Sequence, residues 1–386
     1  MRRSLAGLVL LLGAALGGVP SAAADTGDTP LGRLNWGVDS QGQPWTAQTL
    51  KAHMSLAPDD ELSRSPAAVI EAARQHLDDT ITPVAALHSE GTVFTDPRHK
   101  ASAAAVSQLG TVYDWAMCAR LAEQPLGQQC ASAAAAAITA WTATYQPSGD
   151  PIDENQLIPL LQSIDLMMPL LPADTQSQAV AWTSALATQG DQRFAAMKPG
   201  DSRLVNNWNS WHLALDAMAG TITGDSELLN RTTSAVRQQV AQNVNADGST
   251  FDFQQRDALH YQVYDLEALL ELDLFTSAMP ADSEGALLNG LQFLQPFVSG
   301  QQQHVEFVGS TVAFDRTRRD AGDPTFANVP WDPRSARTLL RLARSHFPAI
   351  RDWTSAMAGD SYPARLRQLA ALYAADSRRM MAGLRL

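Results

Sequence analysis

Residues 206–212 read NNWNSWH, and residues 256–264 read RDALHYQVY. The first run opens a stretch with helical hydrophobic periodicity, and the second opens another such stretch two helices further along the chain. When helices stack side by side, their starts can lie at the same end of the stack. We therefore expect the polar side chains of both runs to meet in one cleft, around which the remaining helices are organised.

Four side chains from these runs form a set that suits proton abstraction next to a carboxylate. They are Asn207, His212, Arg256 and Tyr261. An amide and a guanidinium stabilise negative charge that develops on a carboxylate, and an imidazole and a phenol exchange protons. Each residue also has a structural interpretation: a helix cap for Asn207, an ion pair with a neighbouring aspartate for Arg256, and core positions for the other two.

Helical periodicity dominates the rest of the chain, with short polar loops between most helices. Helices are predicted from Ser65, twice between 101 and 145, and at about 152–164, 175–195, 206–222, 225–243, 256–277, 282–298, 334–346 and 361–378. Residues 304–315 alternate with period two and predict a small extended hairpin. Strands are too few for an α/β sheet, so we predict an all-α fold in which roughly six helix pairs form a curved α/α toroid.

The N-terminus has the features of a cleaved secretory signal peptide. A basic start at Arg2 and Arg3 precedes an apolar stretch, and small residues up to Ala24 offer a cleavage site. We therefore expect a secreted or periplasmic protein. The predicted organisation is a signal peptide over 1–24, an N-terminal arm over 25–60 and a toroid domain over 61–386.

Charge and hydropathy narrow the range of partners. The formal net charge is −12, and loss of Arg2 and Arg3 with the signal peptide would make it −14. Nucleic acids and anionic membranes usually demand a basic surface on their protein partners, so we expect neither as a partner. After the N-terminal segment, no stretch of ~20 apolar residues predicts a membrane span. A polyanionic substrate would need a locally basic cleft, which Arg316, Arg318 and Arg319 could supply; a salt-bridged loop is the alternative. We expect a monomer.

The two cysteines, Cys118 and Cys130, flank a predicted turn between two helices. A disulfide there would staple the helices of an exported protein, and two buried free thiols are the alternative. Neither the cysteines nor the eight histidines show a zinc-ligand spacing such as CxxC or HExxH. We therefore expect no metal and no other cofactor.

The order and spacing of several motifs resemble the alginate lyase superfamily, whose members are polysaccharide lyases with an incomplete α/α toroid. The similarity covers roughly residues 60–350. The motifs are GDPIDEN at 149–155, NNW at 206–208, the Asn-x-Asp-Gly turn at 245–248, Arg256-x4-Tyr261-x2-Tyr264, and Glu306-Phe307 followed by Trp331-Asp332-Pro333.

This resemblance implies metal-independent β-elimination of a uronate polymer at a site made of an Asn, a His, an Arg and a Tyr. Asn207, Arg256 and Tyr261 match three of these positions. The family's His directly follows the second Asn, where this chain has Trp208, and His212, about one helical turn further on, is the nearest substitute. Either Tyr261 takes the proton from C5 and returns it to O4, or His212 takes it and Tyr261 acts as the acid.

Further residues near these motifs are candidates for contact with an anionic polysaccharide, with packing and helix capping as the structural alternatives. They are Trp208, Trp211, His260, Tyr264, Glu154, Asn155 and Arg318. Alginate or polymannuronate is the first expected substrate and a glucuronan-type polymer the second. Two other functions stay open: a non-catalytic polysaccharide-binding protein of an export or uptake system, and a glycoside hydrolase on a similar toroid. The hydrolase would need a carboxylate pair such as Asp252 and Asp257.

Overall fold

The computed structural model describes residues 66–276 and 279–354. The predicted signal peptide, the N-terminal arm and the helix predicted at 361–378 lie outside these residues. In chain order the α-helices of the described residues are α1 (Pro66–Gln75), α2 (Pro97–Ser107), α3 (Leu109–Leu121), α4 (Leu126–Thr144), α5 (Pro151–Glu154), α6 (Ile158–Met167), α7 (Ala173–Ala195), α8 (Asn207–Thr223), α9 (Ser226–Asn243), α10 (Phe251–Arg256), α11 (Leu259–Thr276), α12 (Ala281–Phe293), α13 (Gln295–Val298), α14 (Ala313–Asp320), α15 (Arg337–His346) and α16 (Arg351–Thr354).

The predicted all-α character is confirmed. Within the described ranges, β-structure is limited to two isolated bridges, Val244 with Thr250 and Val305 with Pro330. No helix in these ranges is both long enough and apolar enough to cross a membrane.

Helix α8 lies at the centre of the fold. It contacts α7, α9 and α11 as well as the short helices α5 and α6, and it is buried along nearly its whole length. A helix that is covered on all sides belongs to the interior of a protein. Its ends are set locally, because the Asn206 side chain accepts a hydrogen bond from the Trp208 N–H and Gly224 ends the helix with a left-handed φ of 72°, which glycine adopts at little cost.

Helices α3 and α4 form a cross-linked pair near the start of the described chain. Helix α3 packs against α4, α6 and α1. A disulfide joins Cys118 of α3 to Cys130 of α4, which decides between the two possibilities left open by the sequence. Both cysteines are fully buried, so the cross-link closes the turn between the helices from the core side.

The helix predicted at 256–277 begins only at Leu259, because Arg256 ends the separate short helix α10. Asp257 adopts a left-handed φ of 49°, ends α10 and turns the chain into α11. The new helix start is anchored by Glu306, whose carboxylate accepts hydrogen bonds from the N–H groups of Leu259 at 2.8 Å and His260 at 3.0 Å. A carboxylate is favoured there because a helix N-terminus carries unpaired N–H groups and a partial positive charge.

The prediction of a hairpin at 304–315 is wrong. Val305 pairs with Pro330 rather than with the second half of the segment, Phe307 turns the chain with a φ of 62°, and residues from Ala313 onward form α14. In α14 the buried residues are Asp315 and Arg318, three positions apart, which is helical spacing. The alternation was too short to separate a strand from a loop that leads into a helix.

Glu306 offers a direct test of how α11 is anchored. We expect Glu306→Gln to lower the free energy of unfolding by about 1–3 kcal/mol, because an amide oxygen replaces a carboxylate that accepts two buried N–H groups. Urea unfolding followed by circular dichroism measures the change. Glu227→Gln is the matched control, since Glu227 is an exposed glutamate in the first turn of α9 and should change stability by less than about 0.5 kcal/mol. Equal effects of the two substitutions would contradict the anchoring role.

Candidate active site

The first part of the site is the start of α8, which a buried carboxylate holds against α10. The backbone N–H of Asn207 donates to Oδ2 of Asp252 at 2.7 Å, and the Asn207 side-chain amide donates to Oδ1 of the same residue. Asn206 rather than Asn207 caps the helix, so the Asn207 side chain is not needed as the cap. An amide nitrogen has two N–H donors, and Asp252 accepts one of them.

The second part is Arg256, the last residue of α10. Its Nη1 donates to Oδ1 of Asp315 at 2.7 Å, and its guanidinium carbon lies 3.8 Å from the centroid of the Tyr261 ring. The charge of Asp252 also acts on Arg256. Arg256 therefore links Asn207, through Asp252, to Tyr261, and three of the four residues predicted to act together lie in one connected cluster.

The third part is an aromatic group on the first turns of α11. The His260 and Tyr261 rings meet edge to face with centroids 5.2 Å apart, and the His260 and Tyr264 rings are parallel at 6.4 Å. The Tyr264 hydroxyl accepts a hydrogen bond of 2.6 Å from the Asn155 side chain. Tyr261 belongs to a small apolar cluster, separate from the main core, whose other members are Ala258, Phe307 and Phe326.

Burial sets the protonation of this aromatic group. It raises the pKa of Tyr261 to about 12, although Arg256 and Arg318 act in the opposite direction. Burial, followed by the charge of Arg256, lowers the pKa of His260 to about 4. At neutral pH Tyr261 is therefore a proton donor and His260 a neutral imidazole that can accept a proton. Neighbouring groups whose pKa values are pushed apart in this way are suited to paired acid and base roles.

The irregular segment 82–96 reaches the rim of the same cluster. Oδ1 of Asp153 accepts hydrogen bonds from the N–H groups of Ser89 at 2.7 Å and Glu90 at 2.9 Å. Nη2 of Arg318 lies 3.4 Å from Oε2 of Glu90, and the Arg318 guanidinium covers the Phe326 ring at 5.0 Å. Arg318 thus adds a buried positive charge next to the aromatic group, whereas Arg316 is exposed.

The structure does not bring His212 to this cluster. His212 stacks on Phe194 of α7, with ring centroids 4.2 Å apart, and its Nε2 lies 3.6 Å from carboxylate oxygens of both Asp191 and Asp216. Five positions along an α-helix turn a side chain by about 140°, so His212 shares the face of Trp208 but not that of Asn207. The prediction that His212 acts beside Asn207 and Tyr261 is therefore wrong.

Several predicted substrate contacts are also buried within the protein. Trp211 is fully buried and packs against Tyr264 with ring centroids 5.2 Å apart. Glu154 is 1% exposed and accepts hydrogen bonds from the N–H groups of Ser148 and Gly149, which fix the turn before α5. Asn155 is buried behind Tyr264. These three residues support the site rather than line it.

Trp208 takes the place at which the resemblance expects a histidine. It is 9% exposed, and the guanidinium groups of Arg193 and Arg203 lie 5.3 Å and 5.2 Å from its ring centroid. Arg193 is in turn paired with Asp150 at 2.8 Å. Because cations cover this ring, Trp208 positions positive charge beside the start of α8 and has little surface left for a sugar.

Sequence reasoning assigned no role in the site to four carboxylates that organise it: Glu90, Asp252 in its role as the partner of Asn207, Glu306 and Asp315. Their partners lie far along the chain; Asp252 is 45 positions from Asn207 and Asp315 is 59 from Arg256. No local pattern reports such contacts. The one usable signal was the spacing of Asp315 and Arg318, which places both on one side of a helix.

Known proteins resemble this chain in sequence and in fold. A family profile described as alginate lyase matches residues 50–304. A solved alginate lyase from Bacteroides ovatus is 13% identical and superposes with a TM-score of 0.57 over 85% of this chain and 98% of its own. Alginate lyase A1-III from Sphingomonas species A1 is 17% identical, with a TM-score of 0.46 over 75% and 93% of the two chains. No curated protein sequence matches the chain. The α/α toroid is therefore confirmed as the fold.

The lowered pKa of His260 can be tested through the pH dependence of stability, without measuring any reaction. An unfolded histidine binds a proton below about pH 6.5, whereas folded His260 stays neutral down to about pH 4. Its contribution to stability is therefore complete above pH 6.5 and is lost as the pH falls towards 4. Between pH 8 and pH 5 we expect the wild type to lose roughly 2 kcal/mol more unfolding free energy than His260→Gln. Urea unfolding at both pH values measures the difference, and equal losses would contradict a His260 that stays neutral in the folded protein.

Proposed function

Since this chain belongs to the alginate lyase family, and is therefore a polysaccharide lyase, we propose that it cleaves a 4-linked uronate polymer by β-elimination. Alginate rich in mannuronate is the first substrate and a glucuronan-type polymer the second. The observation that carries the proposal is the connected cluster of Asn207 at the start of α8, Arg256 at the end of α10 and Tyr261 at the start of α11. It combines carboxylate-binding groups with a proton donor.

Charge supports an anionic substrate. The hydrogen on C5 of a uronate is only weakly acidic, and its removal places negative charge on the adjacent carboxylate. The second N–H of the Asn207 amide and the Arg256 guanidinium are the groups we assign to that carboxylate. Arg318 adds a third favourable group at the rim. Arg256 and Arg318 supply the positive charge that faces the polyanion, and Asp315 and Glu90 are their ion-pair partners within the protein.

Tyr261 is assigned as the acid. In the elimination, a base removes the proton from C5, the C–H electron pair forms the C4–C5 double bond, and the C4–O4 bond breaks. The departing O4 needs a proton, and a phenol with a pKa of about 12 holds one at neutral pH. The same pKa disfavours Tyr261 as the base, because its phenolate would be rare.

His260 is assigned as the base, in place of His212. Its imidazole is neutral at physiological pH because burial and Arg256 lower its pKa to about 4, and its ring lies beside Tyr261 at 5.2 Å. A general base must be unprotonated and next to the reacting carbon, and the same low pKa makes this imidazole a weaker base than an ordinary histidine. His260 fulfils the first condition, and its place on the turn that carries Tyr261 favours the second.

The two other functions are less well supported. A hydrolase needs two carboxylates that flank the scissile bond, but Asp252 is fully buried and bound to Asn207, and Oδ2 of Asp257 accepts the Gly309 N–H at 2.6 Å. A binding protein would need no group with a shifted pKa beside Tyr261.

We further propose that the protein is exported after cleavage near Ala24. The basic and apolar N-terminal segments support this, as does the disulfide between Cys118 and Cys130, because such bonds persist in oxidising compartments. Sequencing the N-terminus of protein recovered outside the cytoplasm tests the cleavage site, and we expect Asp25 as the first residue. A retained residue 1 in that protein would contradict cleavage.

The reaction is tested by ultraviolet absorbance of the C4–C5 double bond, which only elimination creates. We expect purified protein to produce this absorbance with polymannuronate or with one other polymer of a panel that also contains polyguluronate, glucuronan and hyaluronan. Tyr261→Phe should lower kcat by at least about 10², because O4 loses its proton donor. Tyr113→Phe, which removes a hydroxyl from a buried tyrosine of α3, should retain activity.

If folded protein produces no rise in ultraviolet absorbance with any polymer of the panel, elimination on these substrates is contradicted. Polymer binding without product would then favour the binding protein. Reducing ends that appear without the absorbance would favour the hydrolase.

The pH profile separates the two possible bases. With His260 as base and Tyr261 as acid, we expect kcat/KM to be flat between about pH 6 and pH 9, because neither group titrates there. If Tyr261 were the base, kcat/KM would rise about tenfold per pH unit towards pH 12. His260→Gln should lower kcat by about 10² or more with little change in KM. A rising profile together with an active His260→Gln variant would contradict the assignment of His260.

A further inference from the structure

A second cavity, with a volume of about 860 Å³, lies between α7, α8 and α9. It is distinct from the cleft around Tyr261, since none of Asn207, Arg256 and Tyr261 lines it. Its wall carries a compact group of three side chains that can bind a metal: Asp191 from α7, and His212 and Asp216 from α8. The proposed elimination uses none of these residues.

The spacing of the three side chains is that of ligands around a shared ion. Nε2 of His212 lies 3.6 Å from Oδ1 of Asp191 and 3.6 Å from Oδ2 of Asp216, and all three ligand atoms lie within 4.8 Å of one another. These separations are too long for hydrogen bonds. Two ligands at about 2.1 Å from a tetrahedral metal lie roughly 3.4 Å apart, so only small side-chain rotations separate this arrangement from coordination.

Asp216 independently points to an absent ligand. The residue is 3% exposed, and its Oδ1 has no hydrogen-bond partner. A buried carboxylate oxygen without a partner is costly, and such groups are normally paired or bound to a metal. Because Asp216 lines the cavity together with Asp191 and His212, a cation placed between the three would satisfy it.

The surroundings fix the orientation of the ligands. The Phe194 ring is stacked on the His212 ring at an interplanar angle of 12°, and a Cβ at Gly190 would lie 2.9 Å from Nδ1 of His212. Only glycine therefore lets α7 approach the ring closely enough, and Nε2 faces the two carboxylates. Nη2 of Arg231 holds the other oxygen of Asp191 at 3.1 Å, as outer partners commonly do for metal-bound carboxylates.

We propose that Asp191, His212 and Asp216 bind one Zn²⁺ ion, which ties α7 to α8. One imidazole nitrogen and two carboxylate oxygens form a ligand set that Zn²⁺ accepts, with a fourth position open to the cavity. Mg²⁺ and Ca²⁺ prefer sites made entirely of oxygen. The ion would stabilise the helix whose start carries Asn207, and it would take no part in proton transfer at C5.

The test uses zinc chloride and the purified full-length protein after dialysis against a chelator. Isothermal titration calorimetry should give one Zn²⁺ per chain, and the ion at about 100 times its Kd should raise Tm by about 3 to 6 °C. Asp191→Asn and His212→Gln should weaken binding by at least about tenfold and abolish the rise in Tm. Asp191 is partly exposed, with 43% of its side chain accessible, so its variant should fold even if a change at His212 disturbs the core.

His76→Gln is the matched control, because His76 is an exposed histidine with an aspartate partner, Asp79, at 2.8 Å. It should bind zinc like the wild type. Zinc binding that persists unchanged in Asp191→Asn and His212→Gln would show adventitious binding elsewhere and overturn the proposal. Folded wild-type protein that binds no zinc would overturn it as well, leaving a His212 that only bridges two carboxylates. Neither readout depends on lyase activity.

Discussion

A fully buried carboxylate, that of Asp252, joins the start of α8 to α10 and sets the geometry of the cleft. It accepts hydrogen bonds from both the backbone and the side chain of Asn207 and lies near enough to Arg256 for their charges to interact. Burial raises the pKa of Asp252 to about 6, and Arg256 and Asn207 oppose that shift. An unpaired charge could not be held there, so the carboxylate fixes both partners in orientation.

The second constraint is the turn at Asp257, which separates Arg256 from Tyr261 by ending one helix and starting another. In an unbroken helix, residues five positions apart would point in different directions. The left-handed Asp257 and the carboxylate of Glu306 at the new helix start instead allow the Arg256 guanidinium to cover the Tyr261 ring. The loop that carries Glu306 also contributes Phe307 to the cluster beneath Tyr261, and the turn after α14 contributes Phe326. The fold of this loop and the chemistry of the cleft are therefore coupled.

Sequence patterns predicted the helices well because apolar spacing reports burial directly, and they identified Asn207, Arg256 and Tyr261 as neighbours. They failed where the role of a residue depends on the direction of its side chain or on contacts with residues far along the chain. His212 was placed one turn beyond Trp208, which is correct, but that face of α8 is turned away from Asn207. Trp211 and Glu154 are chemically suitable for a sugar site, yet both are buried in supporting roles. The pairings of Arg256 with Asp315 and of Asp191 with His212 join different helices, so no local spacing could reveal them.

The most direct test of the central claim is a crystal structure of the Tyr261→Phe variant with a bound uronate oligosaccharide. The claim is that α8 and α11 form one carboxylate-binding and proton-donating site. It requires the carboxylate of the central sugar to lie within about 3 Å of the Asn207 amide nitrogen and of the Arg256 guanidinium, with O4 facing the ring at position 261. A sugar chain held elsewhere, with Asn207 and Arg256 still bound only to Asp252 and Asp315, would contradict it.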